Sequence, residues 1–498
     1  MGEPILERKY TMEMNTGITL LGLGPGDPNL LTRRAWDWVN QIDEIYVRTR
    51  QHPTVAGFPA RLRVESFDDL YEKSETFEAV YEQIVRQVLE LGRRRQGVTY
   101  AVPGHPFIAE ATGPEIYRRA TKEGIPVRLI EGLSFIEPVY TALGLDPFPF
   151  ATLVDALELG ALHHPSFPPD QPSLVAQIYS REVASNVKLA LNAVYPDEHP
   201  VRLVHAAGTN QQLVEDLKLY EIDRSPHTGL LTVLYLPPLG PETSFERFQE
   251  IVAALRAPDG CPWDREQTHA SLRKYLLEET YETLAALDSN DTAGMREEFG
   301  DLLLQIVLHA QIGYEEGEFN MAEILQGISG KLIRRHPHVF GEVEVDGVSG
   351  VLVNWEKLKA AERKANGEEE SKGLLDGVPR EFPALGQAQQ IQDRAARVGF
   401  DWDTIQGVWD KLSEEISEVR TATTQAELEG EVGDLLFAAV NLARWLKVDA
   451  ESALRATNLK FRRRFSHVEK RARETGQQLP DMKLPEMDLF WDEAKKLE

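Results

Sequence analysis

One segment of this sequence is written twice, and the repeat limits what the chain can fold into. "REEFGDLLLQIV" (296–307) and "EGEVGDLLFAAV" (429–440) each place a Glu and an Asp three residues apart at the start of an apolar run. Further matching segments keep the same order in both copies, namely "WD", "LLEETYE" with "LSEEISE", "KLIRRH" with "KFRRRF", and "WEKLK" with "WDEAK". This pattern indicates two copies of one structural unit of about 110 residues.

The two copies have the apolar spacing of helices. From Phe245 onward strand-like runs nearly vanish, and apolar residues recur at i, i+3 and i+4. A polar segment, "ERKANGEEESKG" (362–373), separates the copies. We therefore predict two all-α domains, residues 245–362 and 380–498.

The N-terminal part of the chain has a different pattern. A buried-strand signal, "ITLLGL" (18–23), runs into a glycine-rich loop, and further short apolar runs alternate with helical segments such as 77–92. This alternation predicts an α/β domain with a largely parallel sheet over residues 17–236. The Pro/Gly-rich segment 236–244 is its predicted boundary.

The net charge and the cysteine content restrict the binding partners and the cellular compartment expected for this protein. The formal net charge is −26, which argues against binding to duplex nucleic acid or to an anionic membrane surface. The single cysteine, Cys261, excludes an internal disulfide framework and is typical of a reducing cytosol. No apolar run approaches the ~20 residues of a membrane span, and the first residues lack a signal-peptide layout. We expect a cytoplasmic protein.

The repeated acids have the spacing of a metal site. Carboxylates three residues apart share one face of a helix, so two adjacent helices would bring four of them together. Desolvated carboxylates repel unless a cation joins them, and oxygen ligands favour a hard ion such as Mg²⁺. The common alternative for a single pair is a solvated helix face. Recurrence in both copies favours the metal site, whose residues are Glu279, Glu282, Glu298 and Asp301 in the first copy, and Glu415, Glu418, Glu431 and Asp434 in the second.

Basic and aromatic residues follow the acids in each copy. Lys and Arg side chains suit phosphate oxygens, and a Trp ring offers a surface for a base, so the combination predicts a nucleotide site. The residues are Lys331, Arg334, Arg335, Trp355 and Lys359 in the first copy, and Lys460, Arg463, Arg464, Trp491 and Lys495 in the second.

Three other features of the repeats permit simpler explanations. Gly300 and Gly433 interrupt predicted helices, either to allow close approach of a neighbour or as tolerated irregularities. His336 and His338 invite a metal assignment, but a helix-end role is preferred because the acids already suffice. Cys261 is predicted to be a packed loop residue, since the second copy lacks it.

"GCPWDREQTHASLRKYLLEETYE", "EEFGDLLLQIVLHAQ" and "KLIRRHPHVFG" resemble the MazG family of nucleoside triphosphate pyrophosphohydrolases over nearly all of residues 245–498. The resemblance implies an all-α, four-helix-type fold, usually dimeric, that uses Mg²⁺ to hydrolyse nucleoside triphosphates to monophosphate and pyrophosphate. It makes the repeated acids metal ligands and adds Lys411 to the nucleotide-binding residues. The second copy is the one expected to be active, with Glu414, Glu415, Glu418, Glu431 and Asp434 as its catalytic set. Within this set, Glu414 either orients water or merely faces solvent. The first copy keeps every acid of the motif and is either active as well or structural.

The N-terminal loops carry a second resemblance. "GLGPGDP", "AVPGHPFIAE" and "LIEGLSFIEP" are similar to the tetrapyrrole (corrin/porphyrin) methylase family, in which such loops cradle S-adenosylmethionine. "PGHP" departs from the Gly-Asp-Pro motif that is more frequent in the family. The residues that would line the cofactor cleft are Gly24, Pro25, Gly26, Gly104, His105 and Ser134.

Three interpretations follow from the sequence. The first is a Mg²⁺-dependent pyrophosphohydrolase, homodimeric through its MazG helices, with an appended methylase-like domain. The second is an S-adenosylmethionine-dependent methyltransferase whose helical half serves dimerisation or regulation. The third is non-enzymatic, with a ligand-sensing N-terminal domain and structural helices. Intact acids in both copies favour the first, and "PGHP" counts against the second.

Overall fold

The computed structural model describes residues 17–497 except 74–75, 348–349, 352–353, 356–357, 359–361 and 363–372. Its internal contacts divide the chain into two compact units, Met1–Ile251 and Val252–Glu498. Among the described residues, no helix combines the length and the apolar character needed to cross a membrane.

The first unit begins with a five-stranded parallel sheet in the order β3-β2-β4-β1-β5. Its central strands β1 and β4 are buried along their whole length, as expected for parallel strands covered by helices on both faces. The strands are β1 (Ile18–Gly22), β2 (Glu44–Val47), β3 (Arg63–Ser66), β4 (Val98–Val102) and β5 (Val127–Ile130); the helices are α1 (Arg33–Val39), α2 (Asp68–Lys73), α3 (Phe77–Gly92) and α4 (Thr112–Lys122).

A second five-stranded sheet completes this unit, in the order β6-β7-β10-β8-β9. Only β6 and β7 pair in parallel, so the predicted largely parallel sheet is confirmed for the first sheet and wrong for the second. The chain between β8 and β9 is too short for a parallel crossover, which takes a dozen or more residues. The elements are α5 (Ile136–Leu143), β6 (Thr152–Asp155), α6 (Ala156–Gly160), β7 (Ser173–Ala176), α7 (Arg181–Leu191), β8 (Pro200–His205), β9 (Leu213–Lys218) and β10 (Thr232–Leu236).

The rest of the described chain is helical, as the repeat predicts. In the first copy α10 packs on α11, and in the second α15 packs on α16. The helices are α8 (Phe245–Arg256), α9 (Pro262–Arg265), α10 (His269–Asp288), α11 (Thr292–Glu316), α12 (Met321–Arg335), α13 (Pro337–Phe340), α14 (Ala384–Arg397), α15 (Ile405–Thr421), α16 (Gln425–Trp445), α17 (Ala450–Glu474) and α18 (Leu484–Leu497).

Local sequence signals explain where the paired helices begin and end. Thr268 and Thr424 cap the first turns of α10 and α16, each in a reciprocal capping box. Gly317 ends α11 with φ 70°, a left-handed conformation that glycine adopts without steric cost. His336 lies at the junction of α12 and α13, where its Nδ1 is 2.7 Å from the Leu332 carbonyl oxygen, so the predicted helix-end role is confirmed.

Candidate functional site

Helices α15 and α16 bring three of the predicted acids of the second copy together. One carboxylate oxygen from each of Glu415, Glu418 and Glu431 lies within 4.8 Å of the other two. Glu415 and Glu418 are one turn apart on α15, and the short link to α16 returns the chain so that Glu431 faces them. The helical spacing read from the sequence therefore produces a cluster of carboxylates.

Glu415 is the buried member of this cluster, with 3% of its surface exposed. Its Oε1 lies 2.7 Å from Lys411 Nζ. Its Oε2 is buried without a hydrogen-bond partner in the described part of the chain. A buried carboxylate oxygen without a donor is costly, and a cation at this position would satisfy it. The donor set, made of oxygens only, fits Mg²⁺.

Electrostatics at Glu418 support the same conclusion. Desolvation raises the pKa of Glu418, and the neighbouring Glu431 and Glu415 carboxylates raise it further, while Lys411 acts in the opposite direction. Three negative charges this close repel, and a divalent cation removes the repulsion.

Two predicted acids of the second copy lie outside the cluster. Asp434 is exposed, one turn beyond Glu431 on α16, and is not part of the three-carboxylate group that the described residues form. Glu414 is also exposed, and it accepts a hydrogen bond from Lys411 Nζ at 2.9 Å. Lys411 thus links Glu414 to Glu415 in this structure.

The first copy repeats the cluster with Glu279, Glu282 and Glu298, contributed by α10 and α11. Desolvation raises the pKa of Glu279, and Asp301 and Glu282 raise it further. Burial likewise raises the pKa of Glu298, with Glu282 and Asp301 adding to the effect. The repulsion that a cation would relieve is therefore present in both copies.

The two clusters differ in two respects. Glu279 is only partly buried, whereas Glu415 is buried. When "LLEETYE" is aligned with "LSEEISE", Tyr275 occupies the position of Lys411. The first cluster therefore lacks the lysine that neutralises part of the charge of the second.

The basic and aromatic residues of the second copy lie on α17 and α18. The Arg464 guanidinium carbon is 5.7 Å from the centre of the Trp491 ring, and the Phe461 ring is 5.0 Å from it. Lys460 and Arg463 are exposed on α17, and Lys495 pairs with Asp492 at 3.0 Å. Apart from Lys411, which lies on α15 beside the acids, the basic residues are therefore on a different pair of helices from the acids.

In the first copy, the predicted phosphate-binding arginines form ion pairs with a carboxylate of the same chain. Glu362 pairs with Arg334 at 3.3 Å and with Arg335 at 2.6 Å. The Arg335 guanidinium lies 5.8 Å from the Trp355 ring centre. Lys331 is exposed, and Lys359 lies outside the described residues. A phosphate at this position would have to compete with Glu362.

The sequence interpretation missed Glu362 and the pairing of Lys411 with the acids. Glu362 lies 27 residues beyond Arg335, at no helical spacing from it, so no sequence signal pointed to it. Lys411 precedes Glu414 and Glu415 by three and four residues, a spacing that predicts ion pairs on a helix.

Open space surrounds the two helix glycines. A Cβ added to Gly300 or Gly433 would meet no atom within 4 Å outside its own helix backbone. We expect Gly300→Ala and Gly433→Ala each to raise the free energy of unfolding by about 0.5–1 kcal/mol, because alanine is the better helix former. Chemical denaturation of each variant measures this, and an unchanged or lower free energy of unfolding would contradict the expectation.

In the first unit, the predicted cofactor loops meet through backbone atoms. Gly24 donates from its N–H to the Gly104 oxygen at 3.2 Å, and Gly104 donates back to Gly24 at 2.8 Å. Both have positive φ, 72° and 66°. A Cβ on Gly22 would lie 2.5 Å from the Gly104 oxygen and 2.5 Å from the Gly132 nitrogen, so only glycine permits this approach.

The other residues predicted for the cleft have local roles. Ser134 is buried; its hydroxyl donates to Glu137 at 2.5 Å and accepts from the Ile136 N–H at 3.0 Å. His105 Nδ1 accepts from the Phe107 N–H at 3.1 Å. Pro25 and Gly26 are buried, and Gly26 has φ 141°. The three loops are thus assembled by their own hydrogen bonds.

A histidine packed beneath the first loop gives a pH test of this unit. His52 is buried, its Nδ1 has no hydrogen-bond partner among the described residues, and burial lowers its pKa to about 4. Protonation below the ordinary histidine pKa of 6.5 therefore favours the unfolded state, and stability falls as the pH drops from about 6.5 towards 4. We expect His52 to account for roughly 3 kcal/mol of this loss, and His52→Gln to flatten that part of the stability profile measured by denaturation at successive pH values.

Comparison with known proteins gives matches to both halves. The family model of tetrapyrrole (corrin/porphyrin) methylases matches residues 17–223, and that of the MazG nucleotide pyrophosphohydrolase domain matches 267–340 and 404–469. The uncharacterized protein YabN of Bacillus subtilis is 44% identical over 97% of this chain and 99% of its own length. Nucleoside triphosphate pyrophosphohydrolase of Escherichia coli K12 is 46% identical over 51% of this chain and 97% of its own length. The Thermotoga maritima pyrophosphohydrolase/pyrophosphatase MazG is 44% identical over 50% of this chain and 95% of its own length.

Proposed function

This chain belongs to the family of proteins that join a tetrapyrrole methylase domain to MazG nucleotide pyrophosphohydrolase segments, and from that premise we propose how and where it acts. It is a nucleoside triphosphate pyrophosphohydrolase, which releases nucleoside monophosphate and pyrophosphate. The observation that carries our assignment of the centre to the second copy is the buried Oε2 of Glu415, which has no hydrogen-bond partner within the described segments.

Glu415, Glu418 and Glu431 would hold Mg²⁺, and Asp434, one turn beyond Glu431 on α16, would be a fourth ligand. When bound there, Mg²⁺ would neutralise charge on the phosphates and lower the pKa of a water molecule that it binds. The carboxylates place an attacking water toward the α-phosphorus, and Glu414, which ligates nothing in this arrangement, takes its proton. When the substrate binds, the Lys411 ammonium leaves Glu415 and pairs with a phosphate oxygen instead. Lys460, Arg463 and Arg464 hold the departing pyrophosphate.

One difference between the copies supports the choice of the second. The deeper burial of Glu415 strengthens its interaction with a cation, because the attraction between charges grows as water is excluded. We assign a structural role to the first copy, with residual activity at most.

A product assay with the purified chain tests this proposal. The chain is incubated with each common nucleoside triphosphate and Mg²⁺, with and without excess EDTA. We expect monophosphate and pyrophosphate in equal amounts, complete inhibition by EDTA, and recovery when Mg²⁺ is restored. Orthophosphate and diphosphate as the first products, or activity that resists EDTA, would contradict it.

For the first unit we propose S-adenosylmethionine as the ligand. The support is the match to tetrapyrrole methylases and the junction of Gly22, Gly24 and Gly104, which leaves backbone atoms close together without side chains. Calorimetry with S-adenosylmethionine tests this, and absence of binding would leave the domain without that role. Methyl transfer as the main activity has no support beyond this match.

We also propose that two chains associate through the MazG helices in the cytoplasm. The second unit exposes large apolar side chains on its paired helices, among them Leu277, Phe299, Leu436 and Phe437. Association of two chains would remove this apolar surface from water, which favours a dimer. Light scattering of the purified chain measures the mass of the assembly, and a monomer at micromolar concentration would exclude the dimer.

A further inference from the structure

Two histidines and two glutamates meet where α10 begins and α11 ends. His269 is the first residue of α10, Glu316 is the last residue of α11, and Glu318 follows the capping glycine. One ligand atom from each of these three residues lies within 4.8 Å of the others. None of them belongs to the acidic clusters of the proposed hydrolytic function.

A hydrogen bond between the two histidines sets the state of His269. Its Nδ1 is 2.6 Å from Nδ1 of His309, and the two rings are nearly parallel, at 4°. Such a bond holds one proton between two nitrogens, so one ring donates and the other accepts. When His269 donates, its Nε2 carries a lone pair, which is the state in which a histidine binds a metal.

The surroundings of the His269 Nε2 atom favour a bound cation. It is buried, it has no hydrogen-bond partner among the residues the structure describes, and it lies 3.9 Å from Glu316 Oε2. A nitrogen lone pair that faces a carboxylate is repelled by it unless a positive charge lies between them. The carboxyl end of α11, a helix of 25 residues, adds the negative end of its dipole at the same place.

We propose that His269, Glu316 and Glu318 form a site for a divalent transition metal, with Zn²⁺ the best fit. One imidazole nitrogen and two carboxylates suit Zn²⁺, whereas Mg²⁺ prefers oxygen ligands and water. Ligand atoms around a tetrahedral Zn²⁺ lie roughly 3.3 Å apart when each is about 2.0–2.1 Å from the metal. The 3.9 Å separation closes to that value by small rotations of the exposed Glu316 side chain.

His309 is a positioning residue in this site, because it acts on the metal only through His269. The ion would link the start of α10 to the end of α11, the pair of helices that carries the acids of the first copy. The aligned positions of the second copy hold Ile405 in place of His269 and Leu442 in place of His309, so this metal link is particular to the first copy. This fits a structural role for that copy.

Zinc titration of the full chain, prepared without a histidine tag and freed of metal with EDTA, tests the proposal. Calorimetry is performed in excess Mg²⁺, which occupies the carboxylate clusters. We expect the wild type to bind a single equivalent of Zn²⁺, and both His269→Ala and Glu316→Gln to abolish this binding. His309→Ala should weaken it by about 10–100-fold, as loss of an outer-shell partner does.

His336→Ala is the matched control, since His336 and His338 form a second histidine pair, with ring centres 5.6 Å apart, outside the proposed site. It should leave Zn²⁺ binding unchanged. Glu316 is half exposed, so Glu316→Gln is not expected to disturb folding even if His269→Ala does. Absence of Zn²⁺ binding in excess Mg²⁺, or binding that survives Glu316→Gln, would overturn the site and leave an ion pair between His269 and Glu316. Neither result bears on pyrophosphate release.

Discussion

Glu415→Ala is expected to lower the rate of pyrophosphate release by about 10³-fold or more. A metal ion contributes several kcal/mol to the stabilisation of transition-state charge, and each 1.36 kcal/mol corresponds to about a factor of ten in rate. Glu415 is the ligand whose loss should matter most, because it is the buried member of its cluster and its Oε2 has no other partner among the described residues. Steady-state rates of pyrophosphate release in saturating Mg²⁺ measure the effect.

Three variants control this result. Glu415→Gln keeps the shape of the side chain but removes the charge, so it should lose most of the activity while retaining helical circular dichroism. Glu429→Ala removes an exposed acid of α16 outside the cluster and should leave the rate unchanged. Glu279→Ala removes the equivalent acid of the first copy and should retain most of the activity. Loss of activity in Glu279→Ala alone would move the centre to the first copy.

Arg48→Met is expected to destabilise the first unit by roughly 3–5 kcal/mol, because it leaves a buried carboxylate without its cation. Arg48 is paired with Glu110, whose side chain is 1% exposed, and it also donates to the Tyr71 hydroxyl at 3.0 Å. Glu110 accepts from the Thr112 N–H at 2.9 Å, at the start of α4. Hydrogen exchange followed by mass spectrometry should show reduced protection of peptides from β4 and α4.

The control for this prediction is an arginine pair at the surface. Arg118 pairs with Glu115 on α4 with most of its side chain exposed, and Arg118→Met should leave exchange protection unchanged. Peptides from α15 and α16 should keep their protection in both variants. Equal effects of the two substitutions would show that burial does not determine the contribution of the Arg48 pair.

The sequence predicted those parts of the molecule that depend on local spacing. The repeat identified two helical copies, and acids three residues apart on successive helices predicted the clusters around Glu415 and Glu279. The parallel sheet of the first unit followed from the alternation of strands and helices. Each of these features is set by the period of a helix or by the need to bury both faces of a parallel strand.

Features that depend on contacts between distant segments were not predicted. The hydrogen bond between His269 and His309 joins residues 40 positions apart, and the ion pair between Glu362 and Arg335 joins residues 27 positions apart. The position of Asp434 outside its cluster depends on a side-chain orientation that spacing does not determine. The antiparallel pairing in the second sheet depends on connection lengths, which the apolar runs alone did not reveal.

Hydrolysis in oxygen-18-labelled water tests the central claim most directly. The purified chain is incubated with a nucleoside triphosphate and Mg²⁺, and mass spectrometry locates the labelled oxygen. Attack at the α-phosphorus by water held at the Glu415 cluster predicts label in the monophosphate and none in the pyrophosphate. It also predicts that Glu415→Ala forms labelled monophosphate about 10³-fold more slowly than the wild type. Label in pyrophosphate or orthophosphate, or labelled monophosphate at the wild-type rate from Glu415→Ala, would contradict this account.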